Sequence, residues 1–187
     1  MGGINKNFKT ELYQIESVVL RKLLIRVLNV VPEYFWEIPA SSTGKHHPIF
    51  ALGKGGLVRH TKACVKIATE LFRNDTVQNF TQEEKDLIIV ALILHDTMKN
   101  GVNNKGNTVT EHPLLVRKLF DWVDMSEDDR VFKDKVISLI ETHMGSWNID
   151  YKTKEEVLPK PSVKIQRFVH LCDYLASRKC LEVNFDA

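Results

Sequence analysis

The run Leu87-Ile88-Ile89-Val90-Ala91-Leu92-Ile93-Leu94 has no polar position, and it ends on His95-Asp96, followed at once by Thr97-Met98-Lys99. An imidazole and a carboxylate side by side at the end of a buried segment are costly to desolvate unless they bind something. Both are good ligands for a divalent cation. The chain must therefore bury this segment and give the pair a partner.

The surrounding sequence is that of a single folded unit. At 187 residues the chain is most simply one domain with a real core. Its net charge of +2, from 26 basic and 24 acidic residues, announces no large nucleic-acid surface. No apolar run approaches the roughly 20 residues of a membrane span. Met1 to Gln14 is polar and mixed rather than a secretion signal. Cys64, Cys172 and Cys180 are odd in number and lack CxxC spacing, which fits a reducing, cytoplasmic setting and no disulfide framework. Asn74-Asp75-Thr76 and Asn79-Phe80-Thr81 match the glycosylation pattern, which in that setting is coincidence.

Periodicity predicts helices throughout. Tyr13 to Val31 has apolar residues at helical spacing, closed by Pro32. Tyr34-Phe35-Trp36 and Ile38 form an aromatic cluster for the core. Pro39 to Gly56 lacks helical periodicity, and its length suits a loop that serves a site as well as a plain surface connection. It is not a phosphate-binding P-loop, because Gly44-Lys45 is followed by histidine and the upstream glycine is missing. Leu57 to Phe72 is a helix with His60 near its apolar face. Thr81-Gln82-Glu83-Glu84 is a capping box that opens the helix running to His95-Asp96. Asn100-Gly101 breaks it, and Val102 to Thr110 is turn-rich. Glu111-His112-Pro113 opens a helix through Trp122, with proline in the first turn. Ser126-Glu127-Asp128-Asp129 is a second capping box, for a helix reaching His143, and Gly145 ends it. Asn148 to Lys160 is loop, and Pro161-Ser162 starts the last helix, which carries Asp173 within an apolar run. The fold class is all-α.

His60, His95-Asp96, His112, His143 and Asp173 each lie on or at the end of an otherwise apolar helix. One such residue alone is more often a hydrogen-bonded core group or a cap. Together, on successive helices, they can project into one central cavity, as in other bundle metal sites.

The order His60, His95-Asp96, Asp173 resembles the HD-domain metal-dependent phosphohydrolase superfamily. The flanking Gly55-Gly56-Leu57-Val58-Arg59-His60-Thr61, Leu94-His95-Asp96-Thr97-Met98-Lys99 and Cys172-Asp173-Tyr174-Leu175-Ala176-Ser177-Arg178 strengthen it. The resemblance implies a compact helical HD-domain bundle over 39–187, with 1–38 as an N-terminal helical extension packed on it. It implies that His60, His95, Asp96 and Asp173 ligate one metal. His112 and His143 stand where the two-metal subclass has further histidines, so a second ion bridged by Asp96 is implied. The GYP motif of cyclic-dinucleotide phosphodiesterases is missing. A nitrogen and oxygen ligand set suits Fe, Mn, Zn, Ni or Co.

The implied activity is hydrolysis of a phosphoester or phosphoanhydride by metal-activated water, on a nucleotide or related small phosphate compound. Asp96 and Lys99 are the candidate catalytic residues, with Lys99 on a phosphate oxygen or, alternatively, a plain helix C-terminal cation. Lys99, Lys45, His47 and Arg178 are the candidate substrate contacts. Arg59 and Lys62 either reach the cavity mouth or lie on a solvated face. Glu111 either orients the His112 ring or is an ordinary first-turn acid. His170 belongs to the core or supports a ligand. His46 lies beside His47 in the loop, and Trp147 either packs or stacks on a base. Two rival functions remain. One is a 3′→5′ exoribonuclease, so that a short nucleic acid is a possible substrate. The other is a non-catalytic nucleotide-binding HD module.

Overall fold

The computed structural model describes residues 4–41, 43–74, 76, 79–150 and 152–181. Ser42 of the long loop, Asp75 of the first glycosylation-like tripeptide and the two ends of the expected domains lie outside the described residues. In chain order the helices are α1 (Ile4–Asn7), α2 (Lys9–Leu12), α3 (Val18–Leu28), α4 (Gly56–Phe72), α5 (Gln82–Leu94), α6 (His112–Leu115), α7 (Arg117–Asp121), α8 (Glu127–Glu141) and α9 (Lys164–Ala176). Among the described residues the only strand-like pairing is an isolated bridge between Ile149 and Glu156, so the fold is all-α.

Helix α5 is the axis. The Thr81 hydroxyl accepts from the Glu84 amide at 3.2 Å, and the Glu84 carboxylate accepts from the Thr81 amide at 2.8 Å, forming the expected capping box. Every residue from Asp86 to Leu94 is buried. A helix apolar on all sides must be surrounded, and α3, α4, α8 and α9 pack around it. Each leucine or isoleucine fully removed from water contributes about 2 kcal/mol, so this helix anchors the core.

The flanking helices start and stop for local reasons. Gly56 opens α4 because a Cβ there would lie 2.3 Å from the Ala51 carbonyl oxygen, and Gly55 before it has φ 68°. Arg59 then braces the preceding loop, donating to the carbonyls of Phe50, Leu52 and Lys54. The Ser126–Asp129 capping box opens α8 as expected, and Asp129 also pairs with Arg26 of α3 at 2.7 Å. Helix α8 stops at Glu141, which leaves His143 in the turn beyond it. Helix α9 begins at Lys164 rather than at Pro161-Ser162, since the Gln166 side chain accepts from the amides of Ser162 and Val163. The single helix expected from Glu111 to Trp122 is two short ones, α6 and α7. The chain tightens between them, with the Leu119 amide bonding the Val116 carbonyl three residues back.

The N-terminal region differs most from expectation. The periodic stretch from Tyr13 to Val31 is not one helix: α3 covers only Val18–Leu28, and short α1 and α2 precede it. The break is held by Asp86 of α5. Its buried carboxylate accepts from the amides of Glu16 at 3.1 Å and Ser17 at 2.7 Å, and from the Gln82 side chain at 2.8 Å. Ser17 in turn caps α3 through the Leu20 amide. The aromatic cluster packs into the core as expected, with Phe35 against Phe8 (6.4 Å between centroids) and against Trp36 (4.9 Å). The long loop folds over one short 3-10 turn, Ile49–Ala51, and the Lys179 amide after α9 bonds the His46 carbonyl at 2.8 Å.

Because Asp86 satisfies three donors from a buried position, Asp86→Ala is expected to lower unfolding free energy by about 2–3 kcal/mol. Urea denaturation of the two proteins measures it.

Candidate metal centre

Each element delivers its polar group to the same buried space. His60 comes from the second turn of α4. His95 and Asp96 continue the backbone of α5 past its last residue, and His112 is the first residue of α6. His143 sits in the turn after α8, and Asp173 is near the end of α9. His60, His95, His112 and His143 are each 1% exposed or less, and Asp96 is 3% exposed. Asp173 is the open one, with 19% of its side chain exposed.

The rings form a chain. Centroid separations are 5.5 Å for His60–His95, 4.9 Å for His95–His143 and 5.2 Å for His143–His112. Two carboxylates thread it. Asp173 Oδ1 lies 3.0 Å from His60 Nε2 and 3.6 Å from His95 Nε2. Asp96 faces two ways: Oδ2 lies 3.6 Å from His95 Nε2, while Oδ1 lies 3.0 Å from His112 Nε2 and 3.8 Å from His143 Nε2.

The other ring nitrogens decide the protonation pattern. The Nδ1 atoms of His95, His112 and His143 lie 2.7, 2.7 and 2.8 Å from the carbonyls of Leu92, Val109 and Ile140. A carbonyl only accepts, so each Nδ1 carries the hydrogen, and in a neutral ring Nε2 then presents a lone pair. The buried Nε2 atoms of His95 and His112 have no hydrogen-bond partner in good geometry. When these rings are neutral, lone pairs of imidazole therefore face carboxylate oxygens in a closed space. Such an arrangement is stable around cations and strained without them.

The titration behaviour follows from the same crowding. Burial alone would raise Asp96 and Asp173. Lys99, His95 and His112 outweigh it for Asp96, and the His60 hydrogen bond with the nearby His95 ring does so for Asp173, so both carboxyls are held well below the usual range. Burial would lower His95, yet the adjacent Asp96 and Asp173 raise it. Burial, with His95 adjacent, lowers His143 to about 3. The two anionic carboxylates and the neutral His143 ring are in the states a metal needs, whereas the His95 ring, raised by its two carboxylates, must give up a proton when a metal binds.

Among the remaining candidates, Lys99 reaches the cluster directly. Its ammonium contacts Asp96 Oδ2 at 2.5 Å and is 14% exposed. His47 from the long loop is half-buried, with its ring 5.5 Å from that of His60. Burial, then His60 and Lys99, lower it to about 4. Lys45 and His46 are exposed on the same loop. Arg178 lies over the Tyr174 ring at 4.5 Å. Lys62 pairs with Glu11 at 2.8 Å and Arg59 braces the loop, so neither side chain is committed to the cavity. The carbonyl of Val109, not Glu111, orients His112. His170 supports the site from behind, with its Nδ1 donating to the His143 carbonyl at 2.7 Å.

Cys64 was not singled out by sequence. It lies one turn after His60, buried, with Sγ 3.6 Å from His60 Nε2, and joins His60, His95 and Asp173 in one group of potential ligand atoms within 4.8 Å of one another. Its spacing from His60 was the available signal. His95, Asp96 and His143 form a second such group.

A family model described as HD domain matches residues 57–178, a span that holds the whole cluster from His60 to Asp173. No curated protein and no solved structure matches the chain.

The His143 ring is expected to stay neutral, with hydrogen on Nδ1, from pH 8 down to about pH 4 in the metal-free protein, because burial disfavours its cation. Long-range proton–nitrogen NMR spectra across that range check it. A ring that titrates near 6.5 would contradict the geometry.

Proposed function

We infer that this chain, which belongs to the HD domain family of metal-dependent phosphohydrolases, cleaves a phosphoester or phosphoanhydride bond in a nucleotide or related small phosphate compound. The observation that carries the reading is the convergence of four buried imidazoles, three of them held through Nδ1 by backbone carbonyls, on two ionised carboxylates. His60, His95, Asp96 and Asp173 would hold one divalent ion, and Asp96, His112 and His143 a second. The opposite facing of the two Asp96 oxygens supports its role as the shared ligand. Bound there, divalent ions supply polarisation of a phosphoryl oxygen and a lowered pKa for water.

The protein's own groups do the rest. The carbonyls of Leu92, Val109 and Ile140 hold the three rings in the ligating tautomer. Lys99, which pairs with Asp96, would leave it for a phosphate oxygen and balance the charge that develops there. His47, neutral above its lowered pKa, offers a hydrogen bond at the mouth without adding charge. Lys45 and Arg178 complete the expected substrate contacts from the loop and from the end of α9. Surrounding apolar side chains keep bulk water from the innermost ligands, so electrostatic contacts there are strong.

Elemental analysis of protein purified without chelator is expected to find about two divalent ions per chain. Assays against nucleotides, bis(p-nitrophenyl) phosphate and a short labelled RNA are expected to show hydrolysis that chelation abolishes. Asp96→Ala and His95→Ala should each reduce it by about 100-fold or more. Equal activity in those variants, or no metal in an active protein, would overturn the reading. Nucleotide binding without turnover would favour a non-catalytic module, and preference for RNA over free nucleotides an exoribonuclease.

A further inference from the structure

Trp147 leaves 50% of its surface in water. An indole gains much from burial, so a half-exposed one that is nonetheless held in place invites a reason. Tyr174 stacks against it, with centroids 5.8 Å apart and 18° between the planes. His170 abuts Trp147 and Tyr174, each at 6.2 Å. The turn that carries Trp147 is moulded to this neighbour: Gly145 has φ 58°, and a Cβ there would lie 2.2 Å from the His170 ring. The Arg178 guanidinium lies 4.5 Å from the Tyr174 ring and 5.7 Å from Trp147. Its Nε and Nη2 both donate to Ser177 Oγ, so the flat cation is fixed by a hydroxyl and, among the described residues, pairs with no carboxylate.

This assembly adjoins the metal cluster. Tyr174 follows Asp173, the most exposed of the proposed ligands, and His170 is one turn before it on α9. Trp147 is four residues past His143, whose carbonyl His170 holds. Two stacked aromatic rings and a planar guanidinium, half-exposed and fixed, form the kind of surface on which a nucleobase stacks. A phosphate sugar without a base would have no flat face to place there.

We propose that Trp147, Tyr174 and Arg178 form a stacking platform for the base of a nucleoside phosphate whose phosphate reaches the histidine–aspartate cluster. The substrate class is thus a base-bearing phosphate rather than a sugar phosphate or inorganic polyphosphate. This rests on the phosphohydrolase reading for where the phosphate sits, but the base contact is separable from turnover.

The test is calorimetric binding of adenosine 5′-phosphorothioate and of ribose 5-phosphate to the metal-loaded protein. The nucleotide analogue is expected to bind about tenfold or more tightly than the sugar phosphate. Trp147→Ala should bring the two affinities together by weakening only the nucleotide, with metal content and ribose 5-phosphate affinity unchanged. Trp147→Phe should keep most of the difference. Equal affinities in the native protein, or equal weakening of both ligands by Trp147→Ala, would overturn the proposal. Base-dependent binding without hydrolysis would sink the phosphohydrolase reading and leave the platform standing. Hydrolysis with no base dependence would do the reverse.

Discussion

The interaction on which the structure turns is the meeting of Asp96 and Asp173 with four imidazoles in a space that water barely enters. Isolated buried carboxylates cost several kcal/mol each, and three of the four rings have already given their Nδ1 hydrogens to backbone carbonyls. Lys99 pairs with Asp96, and His60 is hydrogen-bonded to Asp173. The Nε2 atoms of His95 and His112 are left without a hydrogen-bond partner. A cluster with this deficit is a poor stabiliser of the fold and a good receptor for cations, and metal binding would contribute folding free energy as well as chemistry.

The fold is arranged to make that deficit persist. Helix α5 is immobilised on every side, so the His95-Asp96 backbone that continues it cannot easily shift. The other groups come from helix ends and turns, where free carbonyls remain to fix ring orientation. His95, His112 and His143 each bond a carbonyl three residues earlier, at a helix terminus or in a turn beside one. The carbonyl of His143 is itself fixed by His170, which stands on the same helix as Asp173. Ligand geometry is thus built from backbone already committed to the fold, and the loop with His47 and the α9 end close over it through the Lys179–His46 bond.

Much of this was readable in the chain. The two capping boxes, the apolar run of α5, the glycine pair at the start of α4 and the order of histidines and aspartates are local signals, and local chemistry decides them. What was not readable depends on partners distant in sequence. Tyr13 to Val31 has sound helical spacing, yet Asp86, 69 residues from Ser17, captures amides that the helix would have used. For Arg59 and Lys62 the chain left open a cavity mouth or a solvated face, and only the fold shows that carbonyls of the long loop and Glu11 engage them. Cys64 has the spacing to join His60, but only packing shows that its sulfur faces the same space. Trp147 and Tyr174, 27 residues apart, form one surface only because α9 returns beside the turn after α8.

The most direct test of the central claim is a crystal structure of the protein purified without chelator, with anomalous diffraction recorded at the absorption edge of the metal it contains. The expected result is anomalous density inside the cluster, one peak among His60, His95, Asp96 and Asp173 and another among Asp96, His112 and His143. A cluster without anomalous density, with the His95 and His112 rings turned to donate hydrogen bonds to the carboxylates, would contradict it.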